Sequence, residues 1–467
     1  MSISAKPEIS RSTIIKWIIS VLIGCIFVII PDNDVYTYGI KWFLALTAFG
    51  LALSAFELVS AGVIGILLPG SWLLLNIAPA NVCLQIWGSS TAILVFGALF
   101  IGVSFERCGL LQRISYLIMS KVRGGYFSLL VTIMVVCILM NILTNGQSYV
   151  VSGALFAGMF ISLGKEKRNL GVGICTATLL GSATSHSYTY LATSWSILFA
   201  NAEGYPGADL ITPASIILHN WPMFFVSLLI LFIVSKWYKP EEYNSDNKYF
   251  KQKLQEIGPI TYREKANCAI MLVLLVLIFT TSIHHISIDV IMGLTPLLLF
   301  LPGVNGADSE TLEHFPFPMY VFILTCGSIG SVATYLGLGD TIFSYFEQIV
   351  GSNASTFKLL LLVFILVFLL NFVMTPMAFF SLITGPICAL AVSQGYSVQP
   401  FLYAINACAE AILLPYEYVP YLIIFGFGMM NTVDFIKTNI LRSILFFSGV
   451  LFILLPYWQI LGLFEIK

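Results

Sequence analysis

Charge is scarce in this chain. Asp, Glu, Lys and Arg make up only 10% of its 467 residues, and 22 basic side chains stand against 23 acidic ones. Nucleic-acid binding demands a basic surface, so that class of partner is excluded. The nine cysteines (25, 83, 108, 137, 175, 268, 326, 388, 408) show no Cys-x-x-Cys spacing and lie mostly in apolar stretches. A disulfide framework or a structural metal site does not follow from such a pattern, and the cysteines read as packing residues. No Gly-x-x-x-x-Gly-Lys-[Ser/Thr] loop occurs, which argues against nucleotide-driven pumping by this chain. Neither a cofactor nor a metal centre is expected.

What is present is apolar. Hydrophobic residues fill 58% of the positions and the mean hydropathy is +0.93, the composition of an all-α polytopic membrane protein rather than of a water-soluble domain. Apolar runs recur from Ile14 to the C-terminus and provide roughly 10–12 crossings, some of them interrupted by Gly, Pro and polar clusters. The first run, Ile14–Ile30, follows Lys6, Arg11 and Lys16 without a small-residue cleavage site and reads as an uncleaved span. Basic residues gather at Arg107, Arg113, Lys121 and Arg123, at Lys165, Lys167 and Arg168, and between Lys236 and Lys265; the positive-inside rule makes these cytoplasmic. The acidic connections Pro31–Val35 and Asn305–Glu313 are expected on the opposite side. The hydrophilic segment Tyr238–Arg263 divides the chain into a first segment and span (1–40), a first membrane repeat (41–235), a cytoplasmic linker (236–265) and a second repeat (266–467).

Three landmarks recur in the two halves about 230 positions apart, the arrangement of inverted-topology repeats with re-entrant hairpins and broken helices. Phe96-Gly97 leading to Cys108-Gly109-Leu110 answers Cys326-Gly327 leading to Leu336-Gly337-Leu338, and each is followed by an amphipathic stretch (110–123 and 338–350). Asn141-Ile142-Leu143-Thr144-Asn145-Gly146-Gln147 answers Asn371-Phe372-Val373-Met374-Thr375-Pro376. Gly181-Ser182-Ala183-Thr184-Ser185-His186-Ser187-Tyr188-Thr189-Tyr190 answers Ala411-Ile412-Leu413-Leu414-Pro415-Tyr416-Glu417-Tyr418-Val419-Pro420-Tyr421. Irregular backbone at membrane depth persists only where protein or a wet cavity satisfies its polar groups. Thr144, Asn145, Gly146, Thr375, Pro376, Ser187, Pro420 and Tyr421 are therefore candidate solute contacts. Asn141, Ser182, Thr184, His186, Asn371, Glu410 and Glu417 are candidate ion-coupling groups, since an ionisable residue in apolar surroundings is a functional hypothesis by default. No Lys or Arg occurs in these segments, so an anion there is expected to rest on helix dipoles, amides, hydroxyls and a bound cation.

Taken with Tyr418–Gly428 and with Val433-Asp434-Phe435-Ile436-Lys437 opening a long apolar helix, these segments resemble the divalent-anion:sodium symporters of the ion-transporter superfamily. Thr144-Asn145-Gly146 and Met374-Thr375-Pro376 stand where that family carries its hairpin-tip Ser-Asn-Thr motifs. The resemblance implies a secondary transporter of a small organic anion, di- or tricarboxylate-like, working by alternating access with Na+ as a possible coupling ion and assembled as a homodimer. It also implies an integral, multi-pass protein of a bacterial inner membrane. Pro376, Tyr418 and Tyr421 depart from the family pattern, so coupling to protons or to a counter-anion stays open beside sodium. A membrane-embedded glycan polymerase or ligase, which calls for a large external loop, and a non-transporting sensor are the competing readings.

Overall fold

In the computed structural model the described residues are 11–33, 36–56, 58–121, 124–144, 146, 148–164, 168–190, 192–240, 248–301, 304, 306–338, 351, 354–371 and 376–466. Helices α1 (Arg11–Ile29) and α2 (Tyr38–Ala55) form an antiparallel pair, closed at one end where Tyr36 Oη donates to the Phe27 carbonyl at 2.7 Å. The first repeat continues through α3 (Ala61–Leu74), α4 (Ser90–Arg107), the amphipathic arm α5 (Leu110–Met119), a hairpin of α6 (Tyr126–Leu143) and α7 (Tyr149–Gly164), and a broken helix of α8 (Arg168–Ser182) and α9 (Ala192–Ala202). It ends in α10 (Pro213–Asn220) and α11 (Pro222–Trp237), bent by 51° where Pro222 removes a backbone donor. The linker contributes α12 (Lys248–Ile257).

The second repeat follows the same plan: α13 (Tyr262–Phe279), α14 (Ile288–Leu299), α15 (Phe317–Tyr335), a hairpin of α16 (Thr356–Asn371) and α17 (Pro376–Ser393), a broken helix of α18 (Gln399–Cys408) and α19 (Val419–Gly426), then α20 (Thr432–Gly449) and α21 (Leu455–Ile460). Most of the second amphipathic stretch, 339–350, lies outside the described residues. Among the described residues three continuous helical stretches, Tyr126–Leu143, Phe317–Tyr335 and Thr432–Ile460, are each long and apolar enough to cross a membrane. Other apolar runs form shorter helices of 10–17 residues, and the bent pair Pro213–Asn220 and Pro222–Trp237 passes the same test when taken together.

The inversion can be read from helix pairing. Helices α4 and α14 run parallel, Ser90 meeting Asp289 near their starts and the Phe100 ring lying 5.6 Å from Phe300 farther along. Helices α3 and α15 are parallel too, with Gly62 against Pro318 and Gly65 against Val321 and Phe322, and Thr325 Oγ1 donating to the Gly65 carbonyl. Since α3 and α4 cross in opposite directions, as do α14 and α15, the matching helices α3 and α14 point opposite ways. Close approach is what fixes these pairs: a Cβ on Gly97 would lie 2.0 Å from the Met292 carbonyl oxygen. In the other layer, α9 packs on the hairpin helix α17 of the second repeat and α19 on the hairpin helix α7 of the first.

One expectation about sidedness fails. Residues 306–313 of the acidic segment lie with the basic cluster rather than opposite it, because Arg107 pairs with Glu310 at 2.8 Å and Arg263 with Asp308 at 3.2 Å. Its acids pair with arginines of the cluster expected to be cytoplasmic, and Asp and Glu carry little weight in the positive-inside rule. The arm is clamped on the same side. Arg113 donates to both Glu264 oxygens, at 2.7 and 3.1 Å, Glu264 also completes the capping box of α13 with Thr261, and Tyr116 on the arm meets Phe250 of α12.

Two outcomes are expected. A cysteine introduced at Glu310 in a cysteine-free background reacts with a membrane-impermeant maleimide from the cytoplasmic side alone, and labelling from outside intact cells would place the 305–313 segment on the external face instead. Gly97→Val separates α4 from α14 and lowers unfolding stability by about 2 kcal/mol or more, an overpacking cost measurable by denaturant titration in detergent.

Candidate solute and ion site

Each hairpin tip is tied to its own broken helix by an asparagine. In the first repeat α6 ends at Leu143, and Thr144 Oγ1 turns back to the Met140 carbonyl at 2.9 Å. The chain then reverses at Gly146, whose φ of +91° suits glycine and whose N–H closes the turn on the Asn141 carbonyl at 2.9 Å. Asn141 is fully buried; its Nδ2 donates to Ser185 Oγ at 3.1 Å and its Oδ1 accepts from Ser148 Oγ at 3.3 Å. Ser152 and Ser182 share a further hydrogen bond of 2.7 Å. In the second repeat Asn371 Nδ2 reaches the Ala409 and Ala411 carbonyls, both at 3.4 Å. Asn145 and Thr375 lie outside the described residues, whereas Pro376 opens α17.

The two breaks differ in how they are made. In the first, hydroxyls replace the lost ladder: Ser185 Oγ donates to the Gly181 carbonyl at 2.7 Å, Ser187 Oγ to Thr184 at 2.8 Å, and Thr189 Oγ1 to Ser185 at 2.7 Å. Short polar side chains compete with helix in this way, so Ser187 holds a turn. In the second, Pro415 supplies no donor and Glu417 caps the next turn, its carboxylate accepting from the Leu413 and Leu414 N–H groups at 3.0 Å each. Pro420 falls in the first turn of α19, where its missing donor costs nothing.

The breaks meet around a residue that the sequence pattern does not single out. Arg442, on α20, is 2% exposed. Its Nη2 donates to the Glu410 carbonyl at 2.9 Å and to the Ile412 carbonyl at 2.8 Å, its Nη1 donates to Tyr421 Oη, and its guanidinium carbon lies 4.4 Å from the Tyr421 ring centre. Tyr421 Oη in turn donates to Glu410 Oε2 at 2.8 Å and shares a 2.8 Å bond with Thr184 Oγ1. His186 Nδ1 stands 3.9 Å from the other Glu410 oxygen and 3.4 Å from Tyr418 Oη, while Asn406 Nδ2 holds the His186 carbonyl at 2.9 Å. Thr184, His186, Glu410 and Tyr421 thus come together, while Glu417 bonds within its own turn. The expectation that no basic group serves the site is corrected: α20 carries one in from outside the four segments. Its signal in the sequence is a lone arginine within an apolar helix.

Buried polar atoms remain unpaired here, among them His186 Nε2, Asn371 Oδ1 and Arg442 Nε. Such groups are uncommon in folded proteins and mark places where water or a ligand completes the bonding. Away from the basic cluster, a cleft of about 840 Å³ lined by Tyr190, Glu203, Asp209 and Asp289 opens between α4, α14 and α9. A smaller apolar cavity of about 70 Å³ shares Tyr190 and Pro213 with it and extends to Ile142 and Leu143 beside the first hairpin tip.

The Tyr421 hydroxyl joins Arg442, Glu410 and Thr184, so Tyr421→Phe is expected to cost about 1–3 kcal/mol of stability by stranding buried partners. Tyr418→Phe, which loses one long contact, costs less. Unfolding midpoints of the two purified variants measure the difference, and equal midpoints would remove Tyr421 from the centre of the network.

No curated protein matches the sequence significantly. Among solved structures, the YdaH transporter of Alcanivorax borkumensis, described as having an unusual topology, superposes with a TM-score of 0.57 at 15% identity over 90% of this chain and 98% of its own. MtrF of Neisseria gonorrhoeae, from a class of antimetabolite efflux pumps, gives 0.56 at 15% identity over 95% and 94%. At that identity the two establish a shared fold. The sequence profile of the citrate transporter family, CitMHS, matches residues 41–407. The chain therefore belongs to the CitMHS citrate transporter family, within the ion-transporter superfamily expected from its broken helices, and is a multi-pass secondary transporter rather than an enzyme.

Proposed function

We propose that this protein carries a citrate-class organic anion, with two or three carboxylates, across a bacterial inner membrane by alternating access. The observation that carries the reading is the buried cluster in which Arg442 and Glu410 of the second repeat meet the first break through Tyr421–Thr184 and His186, set in a chain whose family is named for citrate. Carboxylate oxygens accept hydrogen bonds, and the hairpin tips and breaks offer hydroxyls, amides and helix N-termini as donors. Thr144, Asn145 and Gly146 would meet the anion from the first tip, and Thr375 and Pro376 from the second. The carrier unit is the two hairpins with the two broken helices, which pack across the repeats; α3, α4, α14 and α15 form the scaffold against which it moves, and the scaffold is the surface for a second copy in a homodimer. The wide cleft beside Asp289 is the outer approach. Coupling falls to a sodium ion at the first break or to protons on Glu410, Glu417 and His186.

A ligand that binds the native state raises its stability by about 2.7 kcal/mol at a hundredfold excess over Kd. Thermal unfolding of the detergent-purified protein, crossing citrate, succinate, malate, sulfate, amino acids and neutral sugars with sodium or choline at two pH values, is expected to give its largest shift with citrate or a close di- or tricarboxylate. Shifts confined to amino acids or sugars would transfer the assignment to another solute class.

A further inference from the structure

Sodium coupling requires oxygen ligands, and unwound carbonyls of broken helices are where transporters find them. At the second break those carbonyls are already taken. Asn371 Nδ2 answers Ala409 and Ala411, and Arg442 Nη2 answers Glu410 and Ile412, so four successive carbonyls from 409 to 412 face N–H donors. A metal cation on the same oxygens would sit against a guanidinium of like charge in a low-dielectric interior. The residues present do not fit sodium at this break.

We propose that Arg442 is a tethered cation: its guanidinium stands permanently in the place that a coupling ion would take in the second repeat, and holds the break open for the solute as a positioning residue. The inference rests on reading the breaks as the transport site. Three features support it. Guanidinium stays charged at any working pH, so the place is always filled. The balancing charge is at hand, because Glu410 is linked to Arg442 through the Tyr421 hydroxyl. The first break has a different donor set, with Asn141, Ser148, Ser152, Ser182 and Ser185 bonded among themselves. The two repeats therefore share a geometry and differ in where the positive charge comes from.

The test is replacement of the tethered charge by a free one. Wild type, R442A and the double variant E410Q/R442A are unfolded thermally in choline buffer at constant ionic strength while sodium, potassium or methylguanidinium is added at millimolar levels. The double variant is included because deleting the guanidinium strands the Glu410 carboxylate and can prevent folding. Expected is a raised midpoint with methylguanidinium in the variants that wild type does not show, and with sodium a rise larger in the variants than any that the first break gives wild type. Citrate affinity of the variants, weaker by about tenfold or more in choline, recovers when the same cation is present. Identical cation responses in wild type and variants, or affinity that no cation restores, would overturn the proposal and leave Arg442 a structural clamp. Should wild type bind no carboxylate while the variants still gain a cation-specific midpoint shift, the solute assignment falls and the tethered cation stands.

Discussion

A helix that stops in the middle of a membrane releases carbonyl oxygens where no bulk water can receive them, and the centre of this transporter is organised by how those oxygens are answered. In the first repeat the answer is local: hydroxyls of Ser185, Ser187 and Thr189 fold back on the carbonyls of their own turn. In the second the segment is Ala409-Glu410-Ala411-Ile412, which has no hydroxyl to offer. Its donors come from a distance, from Asn371 on the hairpin and Arg442 on α20. A break that cannot cap itself obliges two other elements to hold it.

That obligation also decides which parts of the molecule stay together. Arg442 touches Tyr421 and the 410–412 carbonyls, Tyr421 touches Thr184 of the first repeat, and Asn406 holds the His186 carbonyl. The Tyr421–Thr184 and Asn406–His186 bonds cross the repeats, and breaking any of these buried bonds strands a polar group in low dielectric. The scaffold pairs α3 with α15 and α4 with α14 rely instead on glycines that bring backbones into contact, a mode of packing suited to lipid surroundings. One layer is joined through polar bonds between the repeats and the other largely through close apolar contact. The apolar cavity between Ile142, Leu143 and the residues Met271, Leu274 and Met292 lies where the layers meet.

Much of this is legible in the sequence, for physical reasons. Polar residues cannot sit casually in apolar runs, so Asn141, Asn371, His186, Glu410 and Glu417 announce themselves, and their recurrence at one interval announces the repeats. Arg442 escapes because its significance comes from folding: α20 passes beside the break, though it is remote from the hairpins along the chain. Sidedness of the 305–313 segment escapes for a related reason. Its acids look external when read alone, yet Arg107 and Arg263 of the basic cluster fold against them. The hydroxyl and amide pairing inside the first break is likewise a tertiary fact, since Ser152, Ser182 and Ser185 are ordinary residues until the hairpin brings them within hydrogen-bond distance.

Charge conservation then separates the roles of the two breaks under the proposed reading. Ionised Glu410 and Arg442 together are neutral, and a neutral pair is the arrangement that a buried site tolerates. A polycarboxylate adds net negative charge to this setting, and helix N-termini supply only about half an elementary charge each. The remainder has to arrive with the solute, as protons on Glu410, Glu417 or His186 or as a cation on the oxygens of the first break. The guanidinium at the second break cannot vary, because that positive charge is covalently attached. Variable compensation is thereby confined to the Asn141, Ser182 and Ser185 side and to the carboxyl groups. An anion held between the breaks would meet a fixed positive charge from one repeat and an exchangeable one from the other, which gives a symmetric fold the chemical asymmetry that coupling needs.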